Sequence, residues 1–170
     1  MIDWRLRKLP LKKSALDDAD LRILAAVQSH GQLSKTKLAE LVNLSPTPCW
    51  ERLTKLKLAG YITGYRGEIA LNKLCDFTMV VVTVSLAHHR KSDFERFEAQ
   101  VQAMDEIIDC VATGGGMDYV LKVVAPTLVA FQGVLDRLFA IDVDVDRYMT
   151  YIATRQIKST VPNLSNLITR

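Results

Sequence analysis

The chain has 170 residues, 49% of them apolar, and a net charge of +3. It is long enough to bury the core of one or two small domains, and no apolar run approaches the roughly 18–20 residues that cross a bilayer. The charge is unevenly divided: residues 1–66 hold twelve Lys/Arg against six Asp/Glu, and residues 67–170 hold ten against thirteen. This pattern points to a polyanion-binding part joined to a part with another task.

The N-terminal residues 1–15 form a basic arm with Arg5, Arg7, Lys8, Lys12 and Lys13. The arm lacks the apolar stretch and cleavage site of a secretory signal, so a cytoplasmic location is expected. Cys49, Cys75 and Cys110 are odd in number and form no CxxC pair. They suggest neither a disulfide framework nor a zinc site.

Asp17 and Asp18 open a periodic run of Leu21, Leu24 and Val27 that Gly31 closes near Gln28. Acidic residues at a helix start meet its free N–H groups and its dipole. Ser34 caps a second short helix, expected to bury Leu38, Leu41 and Val42. Asn43-Leu44-Ser45 then makes a tight turn into a third helix, with Ser45 as cap and Pro46 at the first helical position. This helix runs to about Ala59, and Gly60 stops it. Cys49, Leu53 and Leu56 recur at i, i+4 and i+7 and form its buried stripe.

The other faces of the third helix are polar and basic, as the second helix of a helix-turn-helix requires. Ser45, Thr47, Pro48, Trp50, Glu51 and Arg52 fall where base edges are read, and Lys55 suits a phosphate. Trp50 alternatively joins the core, and Arg52 is alternatively one partner of a structural ion pair. Residues 61–69 alternate in polarity around Gly64 and Gly67 and read as a small strand or wing followed by a connector.

The remaining elements are predicted as a strand over 78–87, a helix over 92–104 and a strand over 107–113. A glycine turn at 114–116, a strand over 118–125, a helix over 127–141 and a strand over 145–158 complete the chain. The order β-α-β-β-α-β is that of a ferredoxin-like α+β sandwich. Helices cover one sheet face, and a second copy of the chain is the simplest cover for the other. His88 and His89 adjoin Arg90 and Lys91 without a carboxylate cluster in sequence, so they read as a solvated loop. No Walker, HExxH or G-x-S-x-G motif occurs, and no enzyme activity, metal or cofactor is expected.

Four stretches carry a resemblance to the Lrp/AsnC, or feast/famine, regulators. They are Leu16-Asp17-x-x-Asp20 with Ile23-Leu24; Leu38-Ala39 with Leu44-Ser45-Pro46-Thr47-Pro48-Cys49-x-Glu51-Arg52; Leu56 with Gly60-Tyr61-Ile62-x-Gly64-Tyr65; and Gly115-x-x-Asp118-Tyr119-x-Leu121-Lys122. The resemblance spans residues 16–158. It implies a winged helix-turn-helix joined to a ferredoxin-like domain that dimerises, often assembles into octamers, and binds an amino acid at a subunit interface. It also implies a regulator of promoter DNA, nucleoid-associated in the cytoplasm, with no membrane partner. Two alternatives remain at this level: an architectural DNA-binding protein with little sequence preference, and a regulator without an effector.

On this resemblance the effector site falls at Gly114, Gly115, Gly116, Met117, Asp118 and Tyr119, with Thr150 and Thr154 as further candidates on the last strand. Three glycines would free N–H groups to meet a carboxylate, and Asp118 would take an ammonium. The expected boundaries are 1–15 arm, 16–65 DNA-binding domain, 66–76 linker, 77–158 ligand-sensing domain and 159–170 tail.

Overall fold

The computed structural model describes residues 16–140 and 144–168. The basic arm at 1–15 therefore lies outside the described residues. The chain divides into two compact units: residues up to Glu68 with those from Ser159 onward, and Ile69–Lys158.

In the first unit three helices enclose a small core. Helix α1 (Asp18–His30) starts at Asp17 and stops at Gly31, whose φ of 69° favours glycine. Asp17 and Asp20 form a reciprocal capping box. Helix α2 (Lys35–Val42) is capped by Ser34, which accepts from the Lys37 N–H, and ends at Asn43 in the left-handed region. Helix α3 (Pro46–Leu58) follows directly.

The core comprises Ile23, Val27, Leu38, Ala39, Val42, Cys49, Leu53 and Leu56. Two sequence expectations change here. Ile23, rather than Leu21, anchors α1, and Ala39 takes the inward place expected of Leu41, which is exposed. Ala39 and Leu41 flank the Leu38–Val42 stripe on its two sides, and it is the Ala39 side that is buried.

Residues 62–70 pair with no strand, so of the two readings of that stretch the small strand is not formed among the described residues. Ile62 and Tyr65 instead pack their side chains on the helical core. A short helix α6 (Leu164–Leu167), in a stretch without a clear sequence signal, lies against α1.

The second unit is a four-stranded antiparallel sheet under two helices. Its elements are β1 (Thr78–Leu86), α4 (Lys91–Gln102), β2 (Ile107–Ala112), β3 (Tyr119–Ala125), α5 (Leu128–Phe139) and β4 (Val145–Ile152). The sheet order is β2-β3-β1-β4, as the sandwich topology requires. Alternation assigns the faces: Val80, Val82, Val84 and Leu86 of β1 and Tyr119, Leu121 and Val123 of β3 are buried against Phe97, Val101, Phe131, Val134, Leu135 and Leu138.

The opposite face carries rows set by register. One runs Tyr151–Val81–Lys122–Asp109 and the next Met149–Thr83–Val120–Val111. The hydroxyl of Thr83 is buried there without a hydrogen-bond partner. The last strand is shorter than expected. Ile152 pairs with Val80 and the Ala153 N–H reaches Met79 O, and residues 154–158 extend past that pairing, where no strand is assigned.

Candidate nucleic-acid interface and effector site

The end of α3 has an unusual chemistry. A helix normally leaves its first N–H groups free, which makes that end an anion site. Here Pro46 and Pro48 have no N–H, and Cys49 donates to Ser45 O. Among the first three helical positions only Thr47 keeps a free backbone donor. Ser45, expected as a cap, makes no side-chain cap bond; the third helical position, one of the two it would normally serve, is Pro48. Its hydroxyl is therefore available to a ligand, beside two pyrrolidine rings.

The side chain of Thr47 accepts from Lys35 Nζ at 3.3 Å, which joins the starts of α2 and α3. Trp50 is exposed rather than core. The Lys57 ammonium sits over its ring, 5.8 Å from the centroid, and over Tyr65 at 5.1 Å. Glu51 and Lys55 are exposed and have no charged partner within the chain among the described residues.

Arg52 makes the ion pair that was its alternative reading. It is half-buried, and one guanidinium nitrogen donates to Asp17 at 2.7 Å and to Asp20 at 2.9 Å. Those carboxylates raise the Arg52 pKa, Asp20 most strongly. Asp17 is lowered first by the Asp20 N–H and then by Arg52. Burial raises the Cys49 thiol, as befits a small core group.

At the far end of the second unit, the turn 114–118 joins β2 to β3. Gly115 has φ of 114°, a conformation that a side chain rarely adopts. The N–H groups of Gly114, Gly115, Gly116 and Met117 donate to nothing within the chain among the described residues. Thr113 Oγ1 donates to Met117 O at 2.6 Å and holds the turn closed.

Asp118 is largely buried, with 17% of its side chain exposed. It accepts from the Leu86 N–H at 2.8 Å, and Ser85 Oγ lies at 3.4 Å. The pairing of β1 with β4 shifts by one residue between Ser85 and Leu86, so Asp118 meets a donor where the ladder is irregular. His89 Nε2 stands 3.1 Å from one Asp118 oxygen and 3.2 Å from the other. The reading of His89 as merely solvated therefore misses its partner, which lies 29 residues away.

Arg147 enters the same corner from β4. Its guanidinium donates to Gly116 O at 3.3 Å and has no carboxylate partner among the described residues. Tyr119 points the other way, into the core beneath Phe94 and Phe97, with its hydroxyl on Glu98 at 3.1 Å. Thr150 is opposite Val82, away from the turn in register, and Thr154 lies beyond β4. Within one chain the structure thus brings together Gly114–Asp118, Ser85, His89 and Arg147, and leaves Tyr119, Thr150 and Thr154 outside. Arg147 carries no sequence signal beyond its charge, because only register places it beside the turn.

Residues 16–63 match the family model described as a winged helix-turn-helix DNA-binding domain, and residues 79–162 match the Lrp/AsnC ligand-binding domain. The chain is 41% identical to the transcriptional regulatory protein DoeX of Halomonas elongata, over 88% of this chain and 95% of that protein. It is 33% identical to the leucine-responsive regulatory protein of Haemophilus influenzae, over 91% and 94%. Among solved structures, it resembles an AsnC family regulator from Agrobacterium tumefaciens with a TM-score of 0.83 and 28% identity, covering 91% of this chain and all of that one. A transcriptional regulator from Neisseria meningitidis, solved in complex with L-methionine, gives a TM-score of 0.82 and 31% identity, with 90% and 99% covered.

Proposed function

Since the chain belongs to the Lrp/AsnC family of transcriptional regulators, we propose that it reads promoter DNA with α3 and that an amino acid bound at the 114–118 turn modulates that reading. The helix-turn-helix is a DNA-binding module and the second unit a ligand-binding domain of the Lrp type. In this reading Ser45, Thr47, Pro48, Trp50 and Glu51 meet base edges. The proline rings and indole suit thymine methyl groups, and Glu51 accepts from cytosine N4. Lys55 lies on a phosphate and adds affinity without sequence preference.

The observation that carries the effector reading is the turn itself. Four successive N–H groups without partners, beside an Arg147 without a carboxylate, both among the described residues, make a place for one carboxylate. The ammonium of an amino acid would meet Asp118 by sharing it with, or displacing, His89. The methionine complex of the Neisseria protein supports an amino acid as the ligand class. The second sheet face, with Val81, Val120, Val111, Met149 and Tyr151, is assigned to a second copy of the chain, giving a homodimer that presents two α3 helices to a roughly palindromic site.

A thermal-shift panel of the common amino acids, methionine and leucine included, tests the effector. A ligand at 100 times its Kd adds about 2.7 kcal/mol of apparent stability. A shift lost in Arg147→Ala supports this site; a shift that survives in Arg147→Ala and in Asp118→Asn places the effector elsewhere. No shift with any amino acid removes the proposed ligand class.

A further inference from the structure

We propose that Arg52 is a positioning residue for the recognition helix: clamped by Asp17 and Asp20, it fixes the roll of α3 about its own axis and reads no DNA. The clamp joins the first turn of α1 to the middle of α3, 32 and 35 residues apart in the chain. The apolar stripe of Cys49, Leu53 and Leu56 sets how close α3 lies to the core. The close packing of that stripe opposes large rolls and leaves small ones to be set by other contacts. A charge-assisted bond to two carboxylates is directional and resists it well.

The carboxylates are themselves fixed. Asp17 accepts from the Asp20 N–H at 2.8 Å and Asp20 accepts from the Asp17 N–H at 3.3 Å. Each therefore spends one oxygen on the helix start and presents the other to Arg52. The consequence for reading DNA is geometric. A helix with side chains is about 10–12 Å across, so a 20° roll moves a side-chain tip by about 2 Å. That is enough to break a hydrogen bond to a base edge at Thr47 or Glu51, since such bonds fail beyond about 3.5 Å. Contacts to phosphates by flexible lysines would survive it. Loss of the clamp should therefore erode sequence preference and leave non-specific affinity.

The test uses the full chain, a duplex selected by it from a random library, and a scrambled duplex of equal length. Affinity for both is measured by fluorescence anisotropy between 50 and 200 mM salt, and folding is checked by thermal unfolding. Asp17→Asn with Asp20→Asn retains the helix cap, since asparagine caps as well as aspartate, and removes both charges. It should lower the selected-to-scrambled ratio about tenfold, the order of one mismatched base pair. Arg52→Gln should do the same without changing the salt slope, the combined variant should be no worse than Arg52→Gln, and Arg52→Lys should recover most of the ratio.

A phosphate contact predicts otherwise. Arg52→Gln would weaken both duplexes alike and flatten the salt slope by about 0.9. Freeing Arg52 through the aspartate variants would then tighten binding with the ratio retained. Either result overturns the proposal, as does an unchanged ratio in every variant. A parent protein with no preference for the selected duplex would remove sequence reading by α3, and this role with it.

Discussion

Replacing Asp118 separates its part in the fold from its part in binding. Its carboxylate accepts the Leu86 N–H at 2.8 Å, and Leu86 is 1% exposed. Asp118→Ala leaves that buried donor without an acceptor, which costs about 1–3 kcal/mol. Asp118→Asn keeps an amide oxygen in the same place and loses mainly the pairing with His89. More than half of the His89 side chain is exposed, so this pairing is screened and contributes at most about 1 kcal/mol. The alanine variant should therefore lower Tm by several degrees, at about 2–4 °C per kcal/mol for a chain of this size, and the asparagine variant by less than half as much. Thermal unfolding followed by far-UV circular dichroism reads both. Equal destabilisation by the two variants would show that the charge, not the accepted N–H, holds the turn, and the structural account of Asp118 would fail. With folding thus accounted for, the asparagine variant isolates the effector response: binding of the amino acid should fall while affinity for DNA stays near that of the parent.

Other outcomes follow from the same structure. Ser34→Ala should cost about 1 kcal/mol because it removes the cap on the Lys37 N–H, whereas Ser45→Ala should be nearly neutral for stability and lower DNA affinity; chemical denaturation and anisotropy distinguish the two. Native-state alkylation followed by mass spectrometry should label exposed Cys75 first; Cys110, whose thiol is pushed up to about 11 by burial and by Asp109, should react slowly at pH 8 because little thiolate is present. The lowered pKa of Asp17 means that its contribution to stability is complete above its ordinary value of 3.8 and is lost as pH falls through the folded value. Acid titration of Asp17→Asn should accordingly show a smaller loss of stability below pH 4 than the parent. Val120→Glu, on the open sheet face, should convert the proposed dimer to monomer in sedimentation velocity; an unchanged mass would remove this face as the interface.

Much of the fold was legible because it rests on short-range rules. Asp17, Ser34 and Gly31 mark helix ends through bonds to residues a few positions away, Pro46 does so through its fixed φ, and the alternation of Val80, Val82 and Val84 assigns a strand its faces without knowledge of its partners. The order of those elements was enough to name the sandwich topology. The strand reading of 61–69 and the length of the last strand were wrong because a strand exists only against an edge. Alternation at 61–69 signals willingness to extend, and whether an edge is available depends on elements far away. Leu41 and Ala39 exchanged roles for a similar reason, since they flank the Leu38–Val42 stripe on its two sides and the helical period alone does not say which side packs inward.

The sequence by itself determined the two-part architecture, the caps at Asp17 and Ser34 and the polar face of α3, because the caps and the face depend on residues within one or two turns of one another. The tertiary structure alone decided that Arg52 meets Asp17 and Asp20, that His89 meets Asp118, and that Arg147 stands beside the glycine turn. Those contacts join residues about 30 positions apart, and a side chain's charge announces that it will seek a partner without saying which one packing will bring within 3 Å.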